Sequence, residues 1–170
     1  MTRRTVKIRS FHSPIPDNAG EQSGRELVAT DRESSIIHFT SAGNLEEGPV
    51  SFREFTKPLV NKFNPKIPPS SIDFDFEGLS YTVYVEVNKQ RDMSIYLKKG
   101  TKKQLLCAYP KVGDALAWLQ WVADIDRDNL PDLMVSGSGH YSHLDHRFYL
   151  STFAETGELA KEVGRFTDGQ

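Results

Sequence analysis

Alternating apolar and polar residues mark the middle of the chain. Between 72 and 76, isoleucine and phenylalanine alternate with aspartate, and the run 81–87 is rich in β-branched and aromatic residues. A period of two is typical of a strand with one buried face. Because Glu77-Gly78 between the two runs is a turn sequence, this segment predicts a β-hairpin with a polar outer face.

A second hairpin is predicted directly afterwards. The runs 93–97 and 104–109 are apolar or alternating, and they flank the lysine-rich segment 98–103. Its simplest interpretation is a solvated turn whose lysines protect a sheet edge from pairing with another chain. The following run, 115–123, is ambiguous, because Trp118 and Trp121 have helical spacing.

The N-terminal part has a different character. Residues 13–35 are rich in Pro, Asn, Gly, Glu and Ser and hold few large apolar side chains, which predicts an arm or a long loop. Short strands are predicted at 35–40 and near 50–52. The prolines between 57 and 71 exclude a regular helix or a central strand and indicate an internal linker or lobe boundary.

A length of 170 residues suits one domain. We predict a mainly β fold, a sandwich-like single domain of antiparallel sheets with little helix over residues 36–170, preceded by a flexible N-terminal arm over 1–35. Residues 153–163 predict either a strand and turn or a short helix. Gly164 and the polar tail are expected to end the fold.

Composition and charge remove several classes of function. Lys and Arg number 21 and Asp and Glu 23, a net charge of −2, which lacks the basic surface that nucleic-acid backbones require. The 38% of hydrophobic residues is too evenly spread for a membrane span of about 20 residues. No apolar segment follows the basic first ten residues, so no signal peptide is expected. Cys107 is the single cysteine, and its apolar surroundings predict a buried, inert thiol.

A dense group of carboxylates follows the ambiguous run. Asp124, Asp126, Asp128 and Asp132 stand at positions 1, 3, 5 and 9 of one segment. Calcium takes six to eight oxygens at about 2.3–2.6 Å, and alternate residues of a curled loop can turn their oxygens toward one point. Position 6 needs a sharp turn, which Asn129 tolerates better than most residues do. The spacing predicts a loop that binds calcium, and the alternative is a solvated acidic turn.

Electrostatics favours the ion. Four carboxylates and one arginine, Arg127, lie within nine residues. Two carboxylates about 4 Å apart repel by up to about 4 kcal/mol at an effective dielectric constant near 20. A divalent cation would remove this repulsion.

The same segment resembles a known repeat. Residues 119–150, and above all 122–135, are similar to the Asp-rich FG-GAP and VCBS repeats, the calcium-binding unit of integrin-like β-propellers. The resemblance implies that strands at 118–123 and 132–135 enter and leave the loop. It also implies the set of calcium ligands, which comprises the side chains of Asp124, Asp126, Asp128 and Asp132 and the backbone carbonyl of Leu130.

The sequence does not support a β-propeller or an EF-hand. No second good copy recurs at a regular period, so a propeller is not expected. The nearest echo, 73–78, has Tyr81 at position 9 and is interpreted as a strand with an outward polar face. An EF-hand is not supported either, because position 12 is Val135 rather than Glu.

A histidine-rich segment follows the carboxylates. His140, His143 and His146 recur every three residues, and with Asp145 they could hold zinc or perform acid-base chemistry. Residues three apart on a strand or loop do not share a face, so a polar or partner-binding loop is predicted. The preceding 136–139, Ser-Gly-Ser-Gly, is expected to be a plain loop.

These patterns lead to three hypotheses about function. The favoured one is a non-enzymatic β domain, stabilised by Ca²⁺, that binds a protein or other macromolecule through Tyr141, His143 and His146 beside the rigid ion loop. The second is a metal-dependent hydrolase in which His140 or His143 acts as the base. The third is an inhibitor or immunity-type protein that blocks a bacterial enzyme. Calcium levels favour an extracytoplasmic location, periplasmic or secreted.

Overall fold

The strands define the architecture of this computed structural model. It describes the backbone of residues 2–6, 8–11, 26–31, 34–40, 48–61, 70–140 and 142–169, and the side chains of 49–60, 70–140 and 142–168. Every regular element in these ranges is a strand, which confirms the predicted mainly β class. The strands are β1 (Thr2–Val6), β2 (Ile8–Phe11), β3 (Glu26–Asp31), β4 (Ser34–Thr40), β5 (Gly48–Glu54), β6 (Val60–Asn61), β7 (Ser71–Phe76), β8 (Leu79–Val87), β9 (Met93–Lys99), β10 (Lys102–Tyr109), β11 (Leu116–Ala123), β12 (Asp132–Ser138), β13 (His143–Leu150) and β14 (Lys161–Gly169).

The strands form antiparallel sheets. The largest has seven strands in the order β1-β5-β11-β12-β13-β14, and β6 also pairs with β11. A second sheet has the order β10-β9-β8-β7. The third has the order β2-β3-β4. In the part of the chain that the structure describes, no helix has the length and hydropathy needed to cross a membrane.

Both predicted hairpins are confirmed. In β7-β8, Phe76 pairs with Leu79 across the two-residue turn Glu77-Gly78. Both turn residues have positive φ, 45° and 78°, as a type I′ turn requires. In β9-β10 the turn is shorter than the predicted 98–103, because pairing continues to Lys99 and Lys102.

The main core lies between the four-stranded and seven-stranded sheets. Along β7 exposed and buried residues alternate strictly, so that Asp73 and Asp75 face solvent while the phenylalanines are buried. The two aspartates accept hydrogen bonds from the hydroxyls of Thr82 (2.7 Å) and Ser80 (2.6 Å), which confirms the predicted polar face. The buried cluster combines residues of both sheets, among them Phe74, Val83, Ile95, Leu97, Leu119, Leu133, Val135 and Tyr149.

The seven-stranded sheet also buries its other face. Trp121 packs there between Phe52 and Phe148, with ring centroids 5.7 and 5.6 Å away. The strand that carries it has a bulge between Leu119 and Trp121, so that Trp118 pairs with Ser136 and Trp121 with Met134. The bulge inserts one residue and returns both tryptophans to one face. The apparent helical spacing of Trp118 and Trp121 therefore comes from a bulged strand.

Several sequence predictions differ from this architecture. Strands occur at 2–6, 8–11 and 26–31, within the predicted N-terminal arm, and Cα atoms of β4 and β3 lie near those of β14 and β1. Flexibility of the arm and its separation from residues 36–170 stay predictions. The predicted loop 136–139 is wrong, because β12 continues to Ser138. At the C-terminus, the predicted turn and strand within 153–163 agree with the structure, in which β14 begins at Lys161. The predicted end of the fold at Gly164 is wrong, because β14 continues to Gly169.

Candidate metal centre

The carboxylate loop connects two neighbouring central strands. It leaves β11 after Ala123 and enters β12 at Asp132, as the resemblance implies for the strands on either side. The backbone N–H of Asp124 donates to the carbonyl of Ser51 (3.2 Å), which ties the start of the loop to β5. Ile125 is buried with Trp121, Phe52 and Phe148 in the apolar cluster on the other face of the seven-stranded sheet. The loop is therefore anchored to β5 through its backbone and to this cluster through Ile125.

Two residues of the loop adopt the left-handed backbone conformation. Asn129 has φ of 64°, which confirms the sharp turn predicted at this position. Arg127 has φ of 63°, which the sequence did not indicate. Two such residues in quick succession curl the chain tightly, and for side chains other than glycine each costs free energy. The neighbouring side chains are thereby drawn together.

The curl brings three of the predicted ligands to one place. Asp124, Asp126 and Asp128 each offer a carboxylate oxygen within 4.8 Å of the others. Two oxygens that bind one calcium ion at about 2.3–2.6 Å can be at most about 5 Å apart, so the spacing suits this ion. The three half-buried side chains form what we call the Asp triad.

The Asp triad contains buried oxygens with no donor. Oδ1 of Asp124 and both carboxylate oxygens of Asp126 are shielded from solvent and accept no hydrogen bond from the residues that the structure describes. Asp128 is different, because its Oδ1 accepts from the N–H of Leu130 (2.7 Å). Burial is the largest cause that raises the pKa of Asp124 and of Asp126, and the charge of Asp128 adds to it, while the nearby Thr152 hydroxyl lowers the pKa of Asp126 and the N–H of Asn129 lowers that of Asp124. A cation would satisfy these oxygens and oppose the two effects that raise the pKa.

Asp132 lies outside the Asp triad. Its side chain is fully buried, with Oδ2 accepting from the N–H of Ile125 (2.7 Å) and Oδ1 from the N–H of Ser151 (3.0 Å). Burial raises its pKa to about 8, and the charge of Asp126 contributes. Both side-chain oxygens of Asp132 therefore accept hydrogen bonds from backbone N–H groups. The carbonyl of Leu130, the other ligand implied by the resemblance, stays a prediction.

Two residues at the site were not predicted from the sequence. Ser151 and Thr152 follow β13, and their hydroxyls donate to Oδ2 of Asp128 at 2.8 and 3.1 Å. They lie 23 and 24 residues from Asp128 in sequence. Only the pairing of β12 with β13 brings them to the loop. No local sequence signal marks them, because a serine-threonine pair after a strand is ordinary.

The histidines lie away from the Asp triad. Asp132 begins β12, whereas His140 and His143 flank the turn at its other end. Seven strand residues separate the two ends by about 20 Å at roughly 3.3 Å per residue. The expectation that His143 lies beside the loop 124–132 is therefore wrong. The connection that adjoins it is the one after β13.

His146 belongs to a hydrogen-bonded line on β12, β13 and β14. Its Nδ1 lies 2.8 Å from the hydroxyl of Ser136 and its Nε2 lies 3.1 Å from Asp168 Oδ2. Its ring stacks on Phe166, with centroids 4.4 Å apart. The order Ser-His-Asp is that of a nucleophilic triad, yet Ser136 is fully buried within the sheet and cannot reach a substrate. These hydrogen bonds connect β12, β13 and β14.

The remaining predicted contacts of the histidine segment are only partly described. His143 is exposed, and the N–H of His140 donates to Ser138 Oγ (3.0 Å). Tyr141 lies outside the described residues.

Comparison with known proteins adds no relative. No protein-family model, no curated protein and no solved structure matches the chain.

Proposed function

We propose that the chain is a non-enzymatic β domain whose loop 124–132 binds Ca²⁺ as a structural ion. The observation that carries the proposal is the set of solvent-shielded carboxylate oxygens on Asp124 and Asp126 that lack a donor among the described residues. Leaving a buried polar group unsatisfied costs about 1–3 kcal/mol, and more when the group is charged. A cation bound between these oxygens removes that cost.

The chemistry of the donors favours calcium over other divalent ions. Zinc prefers histidine nitrogen and cysteine sulfur, whereas the Asp triad offers oxygen alone. Magnesium demands near-ideal octahedral geometry and usually keeps several waters. Calcium accepts a less regular shell of carboxylates and carbonyls. The sequence resemblance to a single FG-GAP or VCBS unit supports the same choice.

A structural role suits the surroundings better than a catalytic one. The described groups that bond the carboxylates of the loop are backbone N–H groups and the hydroxyls of Ser151 and Thr152. The histidines considered as a base lie about 20 Å away along β12. An ion that binds only the folded form adds about 2.7 kcal/mol of stability at a hundredfold excess over Kd. The ion would stabilise the loop that connects β11 and β12.

The domain would serve as a binding module for a macromolecular partner. Support comes from the exposed His143 at the β12-β13 turn and from the partly exposed Phe166, which stacks on His146. An extracytoplasmic location, periplasmic or secreted, goes with this proposal, since millimolar calcium there fills a loop of modest affinity. Loss of capture of a specific protein by His143→Ala, with folding unchanged, would support the partner site.

Thermal unfolding with and without calcium tests the ion site. Wild type is compared with Asp126→Ala/Asp128→Ala, and with Asp73→Ala/Asp75→Ala as a matched control, because the control pair lies on an exposed strand with the same spacing. Calcium should raise the Tm of wild type and of the control pair but leave the Asp126/Asp128 variant unchanged. Equal shifts in all three proteins, or none, contradict the proposal.

A further inference from the structure

Ser151 connects two acidic residues of the ion loop to the chain after β13. Its N–H donates to Asp132 Oδ1 (3.0 Å), and its hydroxyl lies 2.8 Å from Asp128 Oδ2 and 3.2 Å from Asp132 Oδ1. Ser151 is itself 5% exposed. A single buried residue therefore contacts one member of the Asp triad and the carboxylate outside it.

The side chain of Asp132 connects two backbone segments by hydrogen bonds. Its two oxygens each accept a backbone N–H, one from Ile125 inside the loop and one from Ser151 on the neighbouring connection. Asp132 offers no oxygen to the compact group formed by the Asp triad. Its contacts hold the shape of the loop and join it to Ser151.

The connection beyond Ser151 is anchored at both ends. The N–H of Ala154 donates to the carbonyl of Ser151 (2.9 Å), which forms a turn. At the far end, the N–H of Ala160 donates to Gln104 Oε1 (3.1 Å) on β10 of the other sheet. Phe153, 41% exposed, lies between the two anchors. Of these two ends, only the one at Ser151 is bonded to the loop 124–132, through Asp128 and Asp132.

We propose that Asp132 is a positioning residue rather than a calcium ligand, and that through Ser151 it transmits ion binding to the connection 151–160 that carries Phe153. This inference rests on the proposed function, since it assumes that the Asp triad binds calcium. The physical reason is that the atoms of Asp128 and Ile125 that the ion would fix also take part in the hydrogen bonds that hold Ser151 and Asp132. An ion that fixes Asp128 and the curl around Ile125 also fixes the acceptors of the Ser151 hydroxyl and the donor to Asp132.

Calcium titration followed by amide NMR tests the inference. In wild type, saturating calcium should slow hydrogen exchange at the amides of Ser151 and Ile125 by about tenfold or more, because both donate to Asp132. The amide of Leu144, near the opposite end of β13, serves as the internal control and should change little. Saturable binding that leaves the Ser151 amide unchanged overturns the inference while the proposed function stands.

Substitution distinguishes a positioning residue from a ligand. Asp126→Asn should abolish calcium binding, whereas Asp132→Asn should retain it with a Kd within about tenfold of wild type and lose the slowed exchange at Ser151. If Asp132→Asn abolishes binding as completely as Asp126→Asn does while remaining folded, Asp132 is a ligand and the inference fails. Absence of calcium binding in wild type removes the proposed function itself.

A measurement on wild type covers the case in which Asp132→Asn does not fold. With the aspartate side-chain carbons labelled with ¹³C, calcium should shift the Cγ signals of Asp124, Asp126 and Asp128 strongly and that of Asp132 weakly. A shift at Asp132 as large as that at Asp126 overturns the positioning role. Ser151→Ala provides a milder perturbation, since it removes the hydroxyl and keeps the amide. It should weaken calcium binding by less than tenfold.

Discussion

The ring of Tyr109 lies in the space that a side chain at Gly137 would need. A Cβ added at Gly137 would meet Tyr109 Cε2 at 2.8 Å and its hydroxyl oxygen at 3.0 Å. Tyr109 comes from β10 and Gly137 from β12, so this contact joins the two sheets of the main core. Glycine is required here for close packing rather than for backbone conformation.

Gly137→Ala should therefore destabilise the fold. Overpacking a closely packed contact costs about 1–3 kcal/mol, because the ring or the strand must move. Chemical denaturation should show this loss as a lower midpoint. Gly113→Ala is the matched control, since a Cβ there meets nothing within 4 Å and should change stability by no more than about 0.5 kcal/mol. Equal effects of the two substitutions would contradict the close contact.

Asp126→Asn should stabilise the calcium-free protein even though it abolishes calcium binding. The substitution removes a half-buried charge that lies near the like charge of Asp128, and burial followed by that charge raises the pKa of Asp126. The Tm measured with a chelator should be equal to or higher than that of wild type. With excess calcium the order should reverse. A lower Tm in both conditions would mean that Asp126 stabilises the fold without an ion.

Asp145 should contribute stability that is lost in acid. Its carboxylate is buried, which raises its pKa, but the hydroxyl of Thr167 and the guanidinium groups of Arg165 and Arg147 outweigh burial and hold the pKa below the usual value. The shortest contacts, from Arg165 Nη2 and Thr167 Oγ1, are both 2.7 Å. Because the folded pKa is depressed, the contribution is complete above the unfolded pKa of about 3.9 and disappears as pH falls through the folded pKa.

Comparison of pH profiles tests this contribution. In calcium-free buffer at pH 7, Asp145→Asn should unfold with about 1–3 kcal/mol less stability than wild type. The gap should close as pH drops below about 4. The exposed Asp114→Asn is the control and should follow wild type throughout. A gap that stays constant down to pH 2 would assign the loss to packing.

Cys107 should be unreactive in the folded protein. The thiol is buried in the main core, and burial raises its pKa to about 11. At pH 8 little thiolate forms and reagents cannot reach it. Reaction with a disulfide reagent should be at least about a hundredfold slower in native protein than in denaturant, on the opening free energies typical of core strands. Fast native labelling would contradict the buried position.

Much of the β architecture could be predicted from local pattern. The alternation at 72–76, the turn at Glu77-Gly78 and the spacing of Asp124, Asp126 and Asp128 are properties of neighbouring residues. A hairpin or a curled loop is formed by contacts among such residues, so its signal lies within a few positions. The same locality explains why Asn129 was correctly predicted at a sharp turn.

Other features were decided by strand pairing. The bulge after Leu119 made a strand resemble a helix, because the inserted residue changes the period from two to three. The pairing of β12 with β13 carried His140 and His143 to the far end of the sheet and brought Ser151 to Asp128, although the histidines are nearer to the loop in sequence. Chain separation does not measure distance across a sheet.

The sequence by itself determined the β class, the hairpins and the composition of the acidic loop, since each depends on short-range periodicity and side-chain chemistry. Only the tertiary structure decided which carboxylates converge, which one braces the backbone, and which distant hydroxyls complete the site. Those outcomes depend on sheet register, and register is set by the fit of both sheet faces to their cores rather than by any single segment.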